Sequence, residues 1–381
     1  MKLEIGNEIV MNKKPAIRLT ERYIGIMSGT SMDGVDVALC TINANRCKLV
    51  CALEYPFDPQ LKEEILLMIN SETTLKQVGE LNHRLGTLFG KAVNALLEQE
   101  KIDSNRVKAI GSHGQTLWHA PSAKHPFSMQ LGDASIIATM TGIDVVSDFR
   151  SKDIALGGEG APFAPVFHQF LFHSSDKKRG VLNIGGMANI TVLGDELIGF
   201  DTGPGNVLMD LWVHKHQELR FDQDGKWAKE GKADKSLLEE LLAEPYFKKE
   251  VPKSTGRELF NLHWLGKILR SHRIVSSENV QATLLELTVQ SIAVEVQKYE
   301  IKELMVCGGG VNNAYLMERL AQVLNGVEIS TTDEHGVSSE HMEAMIFAWL
   351  AYKRMHREPV ELKAVTGAKH NGILGGVYAK D

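Results

Sequence analysis

Short apolar runs alternate with stretches of helical spacing along the chain, and the order of the two patterns repeats. Residues 23–27 and 35–40 predict two strands joined by a glycine turn. Residues 61–69 and 78–98 have helical spacing, with Leu81, Leu85, Leu88, Ala92 and Leu96 on one stripe. A strand at 107–110 runs into Gly111-Ser112-His113-Gly114-Gln115-Thr116, and another covers 143–146. After a loop from Asp148 to Pro165 rich in glycine, charge and proline, the pattern restarts. Residues 181–184 and 190–193 predict strands around a second glycine turn, and a strand ending at Phe200-Asp201 feeds a helix over 207–216. Residues 217–257 are mostly polar and read as a surface excursion with one helix at 236–242. A helix at 282–299, a strand at 304–306, a helix at 314–324 capped by Asn312 or Asn313, and a last helix at 342–355 complete the list.

Two strand–turn–strand openings, each followed by helices and strands, predict two α/β domains of similar layout around a cleft. The expected division is 1–145 and 146–357, with 358–381 returning to the first domain. Length agrees, because 381 residues exceed what one core usually accommodates.

Charge narrows the partners. The formal net charge is -6, and no dense Lys/Arg run with interleaved aromatics occurs, so nucleic acid is not an expected ligand. The N-terminus reaches charges before an apolar segment can build, and no run approaches ~18 apolar residues. A cytoplasmic protein is expected. Cys40, Cys47, Cys51 and Cys307 are too few and too irregular for a disulfide framework or a zinc site.

Three apolar runs break into glycine-rich turns carrying Asp, Thr or Asn: Gly29-Thr30-Ser31-Met32-Asp33-Gly34, Asp201-Thr202-Gly203-Pro204-Gly205-Asn206, and Gly308-Gly309-Gly310-Val311-Asn312-Asn313. Bare glycine backbone lets N–H groups approach phosphate oxygens, so the set points to a nucleotide-dependent phosphotransferase. A Walker loop, with Gly-Lys-Ser/Thr opening a helix, is absent. Asp33 is a candidate Mg²⁺ holder through water, or part of a plain turn. Asp201, at a strand end, is either a general base toward a hydroxyl or a cap of the next helix. His113 and Gln115 at a strand end, and Arg150 beside the glycine-rich 157–162, are candidate substrate contacts or structural groups. Glu343 either binds sugar hydroxyls or favours its helix N-terminus.

Residues 27–36, 111–116, 148–150, 157–162, 183–186, 200–210 and 307–313 together resemble the anhydro-N-acetylmuramic acid kinase family, over about residues 22 to 379. The resemblance implies the actin/Hsp70/sugar-kinase fold, two RNase-H-like domains flanking an ATP-binding cleft. It also implies a reaction of cell-wall recycling: ATP and water convert 1,6-anhydro-N-acetylmuramic acid to N-acetylmuramic acid 6-phosphate and ADP. Residue by residue, it implies an ATP-binding turn at Gly29, Thr30, Ser31, Met32, Asp33, Gly34, Val35 and Asp36. It implies too that Asp201 is the catalytic aspartate, acting on water, and that Glu343 binds substrate. A homodimer is implied as well. Two features depart from the pattern: Met27 stands where many kinases of the superfamily have an acidic residue, and residues 1–21 match nothing assignable. The competing readings are another sugar kinase or phosphatase of the superfamily, and an ATP-driven conformational switch. The second lacks a segment for a peptide-binding domain or polymer interface.

Overall fold

Each strand–turn–strand unit grows into a sheet, and the two sheets share one strand order. A computed structural model describes residues 20–29, 34–272 and 274–381. In the first half β1 (Glu21–Ser28), β2 (Gly34–Asn43) and β3 (Arg46–Pro56) form an antiparallel meander. β4 (Ala109–Ala120) lies parallel to β1 on its other side, β5 (Phe127–Leu131) folds back on β4, and β6 (Val145–Ser147) is parallel to β4. In the second half β7 (Arg179–Ile184), β8 (Met187–Val192) and β9 (Ile198–Pro204) form the meander, with β10 (Glu303–Cys307) parallel to β7 and β11 (Glu328–Thr331) parallel to β10. With the hairpin strand β5 set aside, so that β6 counts as the fifth, both halves read third–second–first–fourth–fifth across the sheet. This is the RNase-H-like order expected above, present twice.

The core has three layers. The helices Pro59–Asn70 and Leu75–Gln99 cover the outer face of the first sheet, and the second begins with the reciprocal cap between Thr74 and Gln77. Helices Val207–Gln217, Ser277–Lys298 and Ala314–Val323 cover the outer face of the second. Of the two cap candidates for the last of these, Asn313 is the one used: its side chain accepts from the Leu316 N–H at 3.0 Å. Between the sheets lies a shared core built on the helices Ala164–Phe172 and Met342–Met355.

Three expectations differ from the structure. The strand predicted to stop at Ile110 continues through the 111–116 glycine segment to Ala120, because β5 supplies a hydrogen-bonding partner that the local sequence does not announce. The expected division at 145/146 passes through β6, a strand of the first sheet. The return to that sheet begins earlier than 358, since the helix Met342–Met355 lies on β1, β4 and β2 before β12 (Gly376–Tyr378) joins β6. That helix is apolar nearly all round, so its periodicity does not reveal which sheet it covers.

Candidate active site

Glycine brings the last helix onto the first sheet. Gly25 of β1 and Gly111 of β4 are register partners, and a Cβ on either would penetrate the helix backbone, at the Ala344 carbonyl and the Phe347 carbonyl respectively. Only bare backbone permits this approach. The close packing fixes Glu343 in the first turn of that helix, open to solvent but walled by protein. The protein walls around it strip water from its carboxyl and push it above the usual range, Asp36 adds to this, and Arg150 opposes it.

The candidate residues of the first half converge here. Ser28, at the end of β1, donates to Oε1 of Gln115 at 2.6 Å, which ties β1 to β4. Arg150 donates from Nε and Nη2 to Nε2 of buried His113 at 3.2 and 2.8 Å, and from Nη1 to the Gly160 carbonyl at 3.3 Å. Asp153 fastens the loop that follows. It is fully buried and accepts from the Gly160 N–H and the Thr366 hydroxyl, both at 2.6 Å. A Cβ on Gly158 would collide with that carboxylate. The C-terminal tail thus braces the 157–162 segment. Gly29 and Gly34 flank the first turn, and Val35 and Asp36 begin β2; Thr30, Ser31, Met32 and Asp33 lie outside the described residues.

In the second half, Asp201 is aimed by a β-bulge. Asn189 pairs with Asp201 while Ala188 pairs with Gly203, so Thr202 is the extra residue, and the strand bends beside the carboxylate. The loop after residue 250 completes the mounting. Asp201 N–H donates to the Lys253 carbonyl at 3.2 Å, Tyr246 hydroxyl donates to the Asp201 carbonyl at 2.7 Å, and Thr255 N–H donates to Asp201 Oδ2 at 2.9 Å. Lys253 itself is buried in a 2.7 Å ion pair with Glu295. Burial raises the Asp201 carboxyl above its ordinary range, the Thr255 N–H counteracts this, and Glu258 adds to it.

Two cavities organise these groups. One of about 390 Å³ is lined by Glu159, Asn183, Asn189, Asp201, Lys253 and Glu343, and so draws carboxylates from both halves into one space. The other, about 270 Å³, joins the second and third glycine turns through Asn206, Asp210, Asp222, Gly309 and Asn313. The three glycines of the last turn have different tasks. Gly308 has φ 81° and Gly310 packs on Ile184, whereas nothing lies within 4 Å of where a Gly309 Cβ would stand. Gly203 is in contact with Phe247, and the N–H groups of Gly205 and Asn206 donate within the fold, to the carbonyls of Gly186 and Gly185 at 2.9 and 2.8 Å. Glycine at 205 therefore serves the close packing of two turns.

A family model described as anhydro-N-acetylmuramic acid kinase matches residues 21–380. This chain belongs to that family. A relative from Sulfurovum sp. (strain NBC37-1) bearing that name is 59% identical over 359 residues, 94% of this chain and 99% of its own length. Namesakes from Sulfurimonas denitrificans (strain ATCC 33889 / DSM 1251) and Vibrio vulnificus (strain CMCP6) are 53% and 50% identical, each over 94% of this chain and 100% and 99% of their own.

For a chain of the anhydro-N-acetylmuramic acid kinase family, the residues that sequence reasoning missed are Asn183 and Asn189 in the larger cavity, and Lys253 with Thr255 around Asp201. The last two were absorbed into the polar excursion 217–257. One signal was present: Pro252-Lys253-Ser254-Thr255-Gly256, a glycine-bearing turn of the same kind as the other three, running into apolar Leu259-Phe260.

Proposed function

We propose that this chain is an ATP-dependent anhydro-N-acetylmuramic acid kinase: it opens 1,6-anhydro-N-acetylmuramic acid with water and phosphorylates O6, giving N-acetylmuramic acid 6-phosphate and ADP. The observation that carries the reading is the single cavity shared by Asp201, from the second sheet, and Glu343, from the helix laid on the first. Asp201 is the base. It takes a proton from water as the water oxygen bonds to the anomeric carbon, the bond from that carbon to O6 breaks, and O6 bonds to the γ-phosphorus as the bond to the ADP oxygen breaks. Its raised carboxyl suits a base that must be ionised yet basic.

Glu343 binds sugar hydroxyls, and Arg150, held by His113, supplies positive charge beside it. Gln115 braces the same wall. The nucleotide occupies the 270 Å³ cavity, with Gly203, Gly205, Asn206, Gly308, Gly309, Gly310 and Asn313 around it, and its phosphates face the first glycine turn, from Gly29 to Asp36. Mg²⁺ belongs to the same proposal. Asp33 is its expected holder, Asp36 near the start of β2 is a further oxygen donor of the kind it takes, and the ion would neutralise phosphate charge when bound. Closure of two domains around the cleft would bring the reacting groups into line. A homodimer and a cytoplasmic location complete the reading; light scattering of the purified protein tests the first. No helix among the described residues is long and apolar enough to cross a membrane.

Asp201→Asn tests the assignment. The variant should bind ATP and lose about 10²–10⁴ in turnover; near-parent turnover removes Asp201 from the mechanism.

A further inference from the structure

One row of side chains runs across four strands of the second sheet. Cys307 of β10 pairs with Asn183 of β7, Asn183 with Asn189 of β8, and Asn189 with Asp201 of β9. Register partners point to the same face, so the row presents a thiol, two carboxamides and a carboxylate on one side of the sheet. Asn183, Asn189 and Asp201 all line the 390 Å³ cavity. Among the described residues, neither carboxamide makes a side-chain hydrogen bond.

Asn189 is the nearer of the two. Asp201 gives its N–H to Lys253, on the side away from β8. The Asn189–Asp201 pair is therefore of the non-hydrogen-bonded kind, in which opposed side chains approach most closely. Asp201 Oδ2 is already engaged by Thr255 N–H, which leaves Oδ1 for another partner. A half-buried carboxamide with no partner, directly opposite a carboxylate with one oxygen free, in a shared cavity, offers two acceptor oxygens to a molecule with two hydrogens to donate. Water meets that description.

We propose that Asn189 holds the attacking water together with Asp201. One water hydrogen points to Asp201 Oδ1 and is the proton transferred as the water oxygen bonds to the anomeric carbon; the other donates to Asn189 Oδ1, which fixes the lone pair toward the sugar. The inference rests on the reading of Asp201 as base toward water. Asn189 contributes orientation, with no charge of its own, so it acts on kcat rather than on substrate affinity.

The test uses the full-length protein with ATP and the anhydro sugar. Asn189→Ala should lower kcat about 10- to 100-fold, the range for one hydrogen bond to a charge-bearing centre, with KM for both substrates nearly unchanged. Asn189→Asp places a second carboxylate opposite Asp201. The acid limb of its kcat–pH profile should then move to higher pH by about a unit or more, since like charges at this spacing disfavour joint ionisation. Groups facing Asp201 from the other elements, namely Glu258, Glu343, Glu159, and Lys253 paired with Glu295, are the same in both proteins and cancel in the comparison. Should the alanine variant fail to fold, the pH profile of the isosteric aspartate variant decides. Parent kcat in Asn189→Ala, or a superimposable profile in Asn189→Asp, overturns the proposal. Asp201→Asn is measured alongside. If it is inactive while both Asn189 variants behave as the parent, only the water-holding role falls; if it remains active, the reading of Asp201 as base falls and takes this role with it.

Discussion

Arg150 presents two of its donors, Nε and Nη2, to the same acceptor, Nε2 of His113. A guanidinium only donates, so the imidazole is neutral with its proton on Nδ1. Burial, followed by the charge of Arg150, pushes the His113 imidazole down to about 3, and its ring packs 4.7 Å from that of Phe347. The histidine expected to touch substrate holds the arginine in place.

His113→Ala should therefore act through Arg150. The expected result is about a 10-fold rise in KM for the sugar, the loss of one charge-assisted hydrogen bond, with KM for ATP unmoved. Steady-state kinetics with each substrate varied in turn checks this. A change confined to ATP, or none, contradicts the mounting role.

The glycine pair beneath the last helix predicts a stability effect with a kinetic companion. Gly111→Ala drives a methyl into the Phe347 carbonyl, so the helix must lift. Overpacking of this kind costs about 1–3 kcal/mol, and kcat should fall with it because the same helix carries Glu343. Urea unfolding at parent stability would show that the helix accommodates the methyl.

These pairs show where sequence reading succeeds and where it stops. The bounds of the helix Met342–Met355 were legible, because apolar spacing is a local signal, whereas the strand expected to end at Asp201 runs on through the glycine turn to Pro204, held there by β8. The continuation of β4 through Gly111 to Ala120 depends on β5, and the bulge at Thr202 depends on β8; both are pairings between distant segments. The role of Thr255 was hidden for a related reason. It acts through its backbone N–H, which every residue but proline possesses, so no side-chain pattern marks it. The family motifs named residues that the structure gathers around the two cavities, but they did not announce that His113 holds Arg150.

Asp210, in the smaller cavity, gives a prediction with a definite sign. Burial raises its carboxyl to about 6 from an ordinary 3.8, with Arg257 and Arg220 opposing and Asp222 adding. The folded chain holds this proton more tightly than the unfolded chain does, so between pH 3.8 and about 6 stability falls as pH rises. Above that window the full penalty persists. Asp210→Asn should thus be more stable than the parent at pH 7, by about 2–3 kcal/mol, and the advantage should vanish below pH 3.8. Thermal unfolding across pH measures it; equal stability at pH 7 contradicts it.

The buried Lys253–Glu295 pair supports the backbone that holds Asp201. Lys253→Met strands the Glu295 carboxylate in the core, and removal of one partner of such a pair costs about 3–5 kcal/mol. Replacing both partners, as Lys253→Met with Glu295→Leu, should recover much of that loss. Denaturant titration of the single and double variants checks the order, and a double variant less stable than the single one contradicts it.

The central claim is that water attacks the sugar while the bridge oxygen receives the phosphoryl group. Mass spectrometry of the product formed from anhydro sugar and ATP in oxygen-18 water tests it most directly. One labelled oxygen at C1 of the sugar phosphate, with unlabelled oxygen bridging C6 and phosphorus, is the result the account predicts. Label in inorganic phosphate with none in the sugar contradicts it.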